Sequence, residues 1–431
     1  MKSKKKLIRI IKKIFLTNIK NNTKISKLID QYLIPQELEK KSNAEVSTPY
    51  KLRNKMLDKI PLEFWTKKRK VFEPCSGKGG FIIDIIDRFM IGLKDRYKDK
   101  KKRYKIIVEK CLYFCDINPT NIFVCKLLID PYNEYKINYH EGNTLELDIK
   151  EKFNIDGFDA VIGNPPYNAA GNTGTGHTIW QYFTFKSLDE WLLKNGYLCY
   201  VHPAGWRKPD NYKINNILLS DLMKKKNWMM YLEIHNTKDG MKIFNCGTRY
   251  DWYIIKICDK NNNTEIKDEN GIICNLNLKK IKFIPNFKIK QFVKLIGNYE
   301  RCYKRCFAHS STKKNLVSKK KDAIYKYKLV HTTPIKEIKY LYTNDNTIGY
   351  FGVKKIIFGD SGINHVIIDD SGKYGVTEHA LSLKYDNINE AEKIKEFLLS
   401  EYFKNFLKAV SWSNYQIDWK IFNHLKKDFW T

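Results

Sequence analysis

The sequence predicts an α/β fold, a doubly wound and mostly parallel sheet of the Rossmann-like kind, followed by a second domain of α+β type. Three observations predict it. Between residues 46 and 260, short apolar runs alternate with helical segments, the pattern of strands buried between two helical layers. A glycine-rich turn follows the first of those strands, where sheets of this kind receive ligands. Beyond 260 the character changes to lysine-rich stretches and glycine-punctuated strands.

Taken in order, residues 1–45 form a basic extension rich in Asn and Lys, with no legible chemistry. Its opening, MKSKKKLIRIIKKIFL, is cut by Lys or Arg every few positions, so it reads as a basic amphipathic helix rather than a signal peptide. Residues 46–260 form the first domain. Its expected strands are Lys70–Phe72, Cys111–Cys115, Phe158–Ile162, Tyr197–Val201 and Trp252–Ile257, with helices at Ile82–Phe89 and Trp180–Leu193. The basic run Lys98–Lys105 reads as a solvated loop insertion, and Lys260–Asp268 as a polar linker. Residues 261–431 form the second domain, with strands between Ile356 and Leu383, a helix at Ile388–Val410 and an aromatic tail from Trp412 to Trp430. No internal repeat is visible.

Of 431 residues, 43% are hydrophobic and 14% aromatic, ample for buried cores. Lys and Arg number 78 against 47 acids, a formal charge of +31. Such a surface favours a polyanion through counterion release, although an AT-rich coding sequence would give the same lysine excess. Ten scattered cysteines suggest a reducing compartment and no disulfide framework. No run approaches the ~20 apolar residues of a membrane span. The expectation is a soluble, intracellular protein without a membrane partner.

Chemistry concentrates in four segments. The first is Val71-Phe72-Glu73-Pro74-Cys75-Ser76-Gly77-Lys78-Gly79-Gly80-Phe81. Glycines let the backbone approach a ligand, and the following helix presents amides to it. The spacing Gly-x-Gly-Gly-Phe, without a third glycine for a pyrophosphate, favours S-adenosylmethionine over a dinucleotide. Glu73 could hold that ligand's ammonium; a plain structural turn is the alternative. The second is Leu112-Tyr113-Phe114-Cys115-Asp116-Ile117-Asn118. Asp116 could accept from ribose hydroxyls and Ile117 could pack on an adenine face, against the alternative of a helix cap. The third is Glu141-Gly142-Asn143, where a side chain could read the cofactor's adenine amine, or simply make a turn.

The fourth segment is decisive: Asp159-Ala-Val-Ile-Gly163-Asn164-Pro165-Pro166-Tyr167, 84 positions after Gly80. Methylating an aromatic amine requires its lone pair to be freed from the ring. The Asn164 side-chain oxygen and the Pro165 carbonyl can accept the amine's two hydrogens, and Pro165 and Pro166 stiffen the turn so that neither acceptor must reorganise. Tyr167 offers a π-face for an extruded base.

Phe-Glu-Pro-x-x-Gly-x-Gly-Gly-Phe followed by Asn-Pro-Pro-Tyr resembles the amino-methyltransferases of restriction–modification systems, in particular the N6-adenine DNA class with a C-terminal target-recognition domain. The resemblance covers about 48–260 and implies a class I methyltransferase fold, S-adenosylmethionine as cofactor and double-stranded DNA as substrate. A separate restriction endonuclease is the companion such systems carry. It implies catalytic roles for Asn164, Pro165, Pro166 and Tyr167, and cofactor contacts from Thr48, Glu73, Pro74, Gly77, Gly79, Phe81, Asp116, Ile117 and Asn143. Thr48-Pro49 matches the family's Thr-Pro segment that helps close the cofactor pocket. Phe244–Tyr253 is similar to its last hairpin, which makes Phe244 a candidate to flank the flipped base. The family's usual acid in the third segment is Asn143 here. RNA adenine or protein glutamine as substrate, and a silent DNA-binding homologue, are the rivals.

Other signals carry less. Cys75 sits inside the glycine loop and reads as packing rather than as a nucleophile. Cys302-x3-Cys306 with His309 has loose zinc-like spacing but too few ligands, so no metal site is expected. The Lys-rich run 313–328, with Tyr325, Tyr327 and then Tyr340, suits phosphate tracking.

Overall fold

The computed structural model describes residues 5, 8–9, 13, 25–27, 29–30, 46–169, 178–259, 262–297, 302–303, 316–412 and 417–431. It divides into two compact units, Met1–Trp206 with Asn211–Lys280, and Arg207–Asp210 with Ile281–Thr431.

The first unit is built on nine strands: β1 (Val71–Glu73), β2 (Leu112–Asp116), β3 (Asn138–Glu141), β4 (Phe158–Gly163), β5 (Leu192–Pro203), β6 (Trp228–His235), β7 (Tyr250–Lys256), β8 (Thr264–Lys267) and β9 (Ile273–Leu276). Their order is β9-β8-β6-β7-β5-β4-β1-β2-β3. The ladder from β3 to β5 is parallel, and β7 runs antiparallel between β5 and β6. Strands β1 and β2 are buried along their whole length, as a sheet covered on both faces requires. The covering helices include α1 (Tyr50–Leu57), α2 (Gly80–Gly92), α3 (Lys100–Ile106), α4 (Pro119–Ile129), α5 (Trp180–Lys186) and α6 (Thr237–Phe244). On one side of the sheet, Phe72 stacks on Phe158 at 4.6 Å and meets the edge of Trp191 at 5.3 Å. The other side is packed by Met56, Ile82, Ile86 and Phe89, and Ile25 and Ile29 join it. The strand order reverses at β1, between β4 and β2. The carboxyl ends of β1 and β4 therefore open onto the crevice where such sheets bind ligands.

Several expectations are corrected. The run Lys98–Lys105 is not a loop: Asp99 caps α3 by accepting from the Lys102 amide at 2.6 Å, and Arg103 is buried, donating to the Tyr97 carbonyl at 2.6 Å. The stretch 260–268 is not simply a linker, since Thr264 and Ile266 alternate inward and β8 extends the sheet. The first compact unit runs to Lys280. Phe244 lies at the end of a helix, not in a hairpin. Asn236 caps α6 through the Asp239 amide, and Asn245 closes it in the left-handed region at φ 52°. The helix expected at 180–193 ends as a π-helical turn at Trp191, because Leu192 already pairs with Phe158.

The second unit holds β10 (Cys302–Tyr303), β11 (Val317–Ser318), β12 (Tyr327–Thr332), β13 (Lys339–Thr343), β14 (Lys355–Gly359), β15 (Ile367–Asp369), β16 (Gly375–Val376) and β17 (Ala380–Leu383). They form two four-stranded sheets, β10-β17-β14-β15 and β11-β13-β12-β16. The expected long helix is two, α7 (Ile388–Leu399) and α8 (Glu401–Ala409), because Ser400 breaks the first and caps the second. Phe403, Phe406 and Leu398 seal this core. Lys355 and Asp369 form a fully buried pair at 2.8 Å, and Asp369 also accepts from the Lys373 and Tyr374 amides. Among the described residues no helix is long and apolar enough to cross a membrane.

Phe72→Ala removes the ring on which Phe158 and Trp191 pack, and should cost about 3–5 kcal/mol, read as a lowered Tm in a thermal melt.

Candidate active site

The glycine loop is held from below. Gly77 and Gly79 adopt left-handed φ values of 50° and 83°, and a Cβ on Gly79 would come within 3.2 Å of the Cys125 sulfur. Asp116, at the end of β2, accepts from the Gly77 amide at 2.8 Å, from the Asn118 amide at 2.8 Å and from the Asn121 side chain at 3.1 Å. Burial pushes its carboxyl above the usual range while these bonds pull it back. Asp116 thus ties the second segment to the glycine loop. Pro74 is buried, and its carbonyl accepts from the Thr144 hydroxyl at 2.7 Å, a residue the sequence reading did not single out. Phe81 is packed into the core at 3% exposure, whereas Ile117 stands 61% exposed. Asn143 is exposed and occupied locally, accepting from the Leu145 amide at 3.1 Å and donating to Glu146 at 2.6 Å. Its contacts are those of a cap.

The Asn-Pro-Pro-Tyr turn lies against the same loop. A Cβ on Gly163 would meet Pro74 at 3.6 Å and Glu73 at 3.8 Å, so Asn164 leaves β4 directly beside Glu73. The Asn164 side-chain nitrogen donates to the Val46 carbonyl at 3.2 Å. A carbonyl only accepts, so this contact fixes which end of the amide faces away. Tyr167 meets Phe244 edge-on at 6.5 Å, and Phe244 meets Tyr250 at 4.9 Å. The two aromatic candidates, 77 positions apart in sequence, are brought together.

Four buried polar atoms here have no hydrogen-bond partner: Thr48 Oγ1, Glu73 Oε2, Asn164 Oδ1 and the Tyr167 hydroxyl. A buried polar atom without a partner costs about 1–3 kcal/mol, a pattern tolerated where a ligand completes it. Burial raises Glu73 well above the ordinary carboxylate range, while the nearby Arg53 guanidinium pulls it back. The set fits S-adenosylmethionine: a hydroxyl for its carboxylate, an acid for its ammonium, and an exposed isoleucine for its adenine. Cys75 is pushed far up by burial and is no nucleophile. Cys306 and His309 lie outside the described residues, and among those described no group of three metal-binding side chains occurs.

A sequence model of the Eco57I restriction-modification methylase family matches residues 11–244. A protein of Mycoplasma pneumoniae (strain ATCC 29342 / M129 / Subtype 1) described as an uncharacterized adenine-specific methylase is 31% identical over 137 residues. That match takes in 31% of this chain and 30% of the relative's length. Among solved structures, the Type IIL restriction-modification enzyme MmeI, in complex with DNA, superposes with a TM-score of 0.53 at 9% identity, over 88% of this chain and 66% of its own. The Type ISP enzyme LlaGI, a nuclease-deletion mutant in complex with a DNA substrate mimic, gives 0.51 at 12% identity, over 86% and 45%. These two likenesses concern the fold.

Glu73→Gln separates stability from binding. The folded chain keeps the Glu73 proton at pH values where the unfolded chain has lost it, so this group's contribution to stability falls as pH rises above the ordinary carboxylate range. At pH 7 the variant should therefore melt higher than the parent without ligand. It should bind S-adenosylmethionine about 10–100-fold more weakly in calorimetry, since a charged hydrogen bond is lost.

Proposed function

Because the chain belongs to the Eco57I restriction-modification methylase family, we propose that it transfers a methyl group from S-adenosylmethionine to the exocyclic amine of an adenine flipped out of duplex DNA. The observation that carries this reading is the Asn164 amide, its nitrogen engaged by Val46 and its oxygen buried without a partner beside Glu73.

The chemistry follows from that arrangement. The cofactor, when bound, supplies an electrophilic methyl. Thr48 and Glu73 would hold its amino-acid end, and Asp116 would accept from its ribose. Asn164 Oδ1 and the Pro165 carbonyl would accept hydrogen bonds from the two amine N–H groups of the adenine, which draws the nitrogen lone pair out of the ring. The stiff Pro165-Pro166 step holds both acceptors in place before the base arrives. Tyr167 and Phe244 form the aromatic walls against which an extruded base rests.

The second unit reads as the target-recognition part. Its β12–β13 face carries Lys328 over the Tyr340 ring at 3.7 Å, with Tyr374 stacked on Tyr340 at 6.2 Å, a basic and aromatic surface suited to a nucleic-acid backbone. Where the β12–β13 connection faces the loop after β14 lies a cavity of about 510 Å³ whose lining includes Thr332, Lys336, Ser361 and Asn364, hydroxyl, ammonium and amide groups of the kind that read base edges. The net charge of +31 agrees with a polyanionic substrate. A separate restriction endonuclease cutting the same unmodified site is the companion this role implies. A silent homologue would have no reason to keep a buried acceptor without a protein partner at Asn164.

Incubation with labelled S-adenosylmethionine and plasmid DNA should place label in N6-methyladenine; label confined to RNA or to protein glutamine would refute the substrate. Asn164→Ala should lower transfer by about 10²–10³-fold, the scale of one lost preorganised polar group, with cofactor affinity little changed. DNA affinity should fall steeply between low and physiological salt in a filter-binding titration.

A further inference from the structure

Resting on that reading, we propose that Arg53 is a positioning residue: it clamps the strap Val46–Pro49 so that one short segment sets both the cofactor pocket and the aim of the catalytic amide.

Arg53 lies on α1 at 2% exposure, on the same buried stripe as Leu52, Met56 and Leu57. Its Nε donates to Asp84 on α2 at 2.6 Å. One terminal nitrogen donates to Asp30 at 2.6 Å and to the Thr48 carbonyl, and the other to the Ser26 hydroxyl at 2.5 Å. Asp30 also accepts from the Tyr50 amide, closing the entry to α1. The guanidinium passes over the first turn of α2 so closely that a Cβ on Gly80 would sit 2.7 Å from it, so Gly80 is a glycine for the clamp's sake. Ile25 and Ile29, both buried, anchor the segment that supplies Ser26 and Asp30. The N-terminal extension, which the sequence left without chemistry, thus contributes two of the partners.

Each group on the strap has a different destination. The Thr48 carbonyl takes Arg53, the Val46 carbonyl takes the Asn164 amide, and the Thr48 hydroxyl is buried without a partner, free for the cofactor that the proposed function requires. Loosening the clamp lets the strap shift, which moves the hydroxyl and releases the amide to rotate. A residue that only stabilised the fold would lower Tm and leave the folded fraction binding and reacting normally. A positioning residue moves affinity and saturated rate together.

The test uses the full chain with S-adenosylhomocysteine as probe. Asp30→Asn and Arg53→Gln are compared with wild type by calorimetry, by single-turnover DNA methylation at saturating cofactor, and by circular dichroism. Folded Asp30→Asn should bind the probe about ten-fold more weakly, the worth of one charged hydrogen bond, and should also react more slowly at saturation. Arg53→Gln should be worse on both counts; if it fails to fold, Asp30→Asn decides alone. Folded variants with wild-type affinity and wild-type saturated rate overturn the inference while leaving the proposed function standing. A wild type that binds no probe overturns the proposed function and the inference with it.

Discussion

Direction is the constraint on which the site depends. An asparagine amide carries a donor end and an acceptor end of nearly equal size, and only the acceptor can draw hydrogens from an aromatic amine. The Val46 carbonyl removes the ambiguity by engaging the nitrogen, so Asn164 Oδ1 is committed to acceptance before any substrate enters. That oxygen pays for its readiness by standing buried and unpaired. The same is true of Thr48 Oγ1 and Glu73 Oε2 nearby. Preorganisation of this sort is what a site gains by leaving polar groups unfinished.

The fold places these groups with little adjustment. Reversal of strand order at β1 puts the ends of β1 and β4 side by side, so the glycine loop and the Asn-Pro-Pro-Tyr turn become neighbours although 84 positions separate Gly80 from Asn164. Asp116 stitches β2 to the loop through the Gly77 amide, and Thr144 does the same from the β3 side through the Pro74 carbonyl. The glycine loop is thereby tied from two strands, and the strap that Arg53 holds supplies the carbonyl that engages Asn164.

What could be read in advance was local. Glycines needing positive φ, prolines fixing a turn and an acid ending a strand act through their own few residues, so Gly77, Gly79, Asp116 and Asn164 were legible in the sequence. The doubly wound sheet was legible in the alternation of apolar runs with helical segments. What escaped was decided at a distance or by competition. Asp99 is a good cap, yet the lysines after it suggested a solvated loop; Arg103, buried under Tyr97, made it a helix. Phe244 stood in an aromatic stretch that resembled a hairpin, while the caps Asn236 and Asn245 marked a helix instead. Arg53 and Asp30 are joined across 23 positions, and no local pattern announces such a pair. The one hint was an arginine on an otherwise apolar stripe of α1.

Base and position can be read together in a living cell. Single-molecule sequencing of genomic DNA from a methylation-free host expressing this chain tests the central claim most directly. The account predicts N6-methyladenine confined to one short motif, present with the intact protein and absent when Asn164 is replaced. Methylation of cytosine, or an adenine signal that survives loss of Asn164, would contradict it.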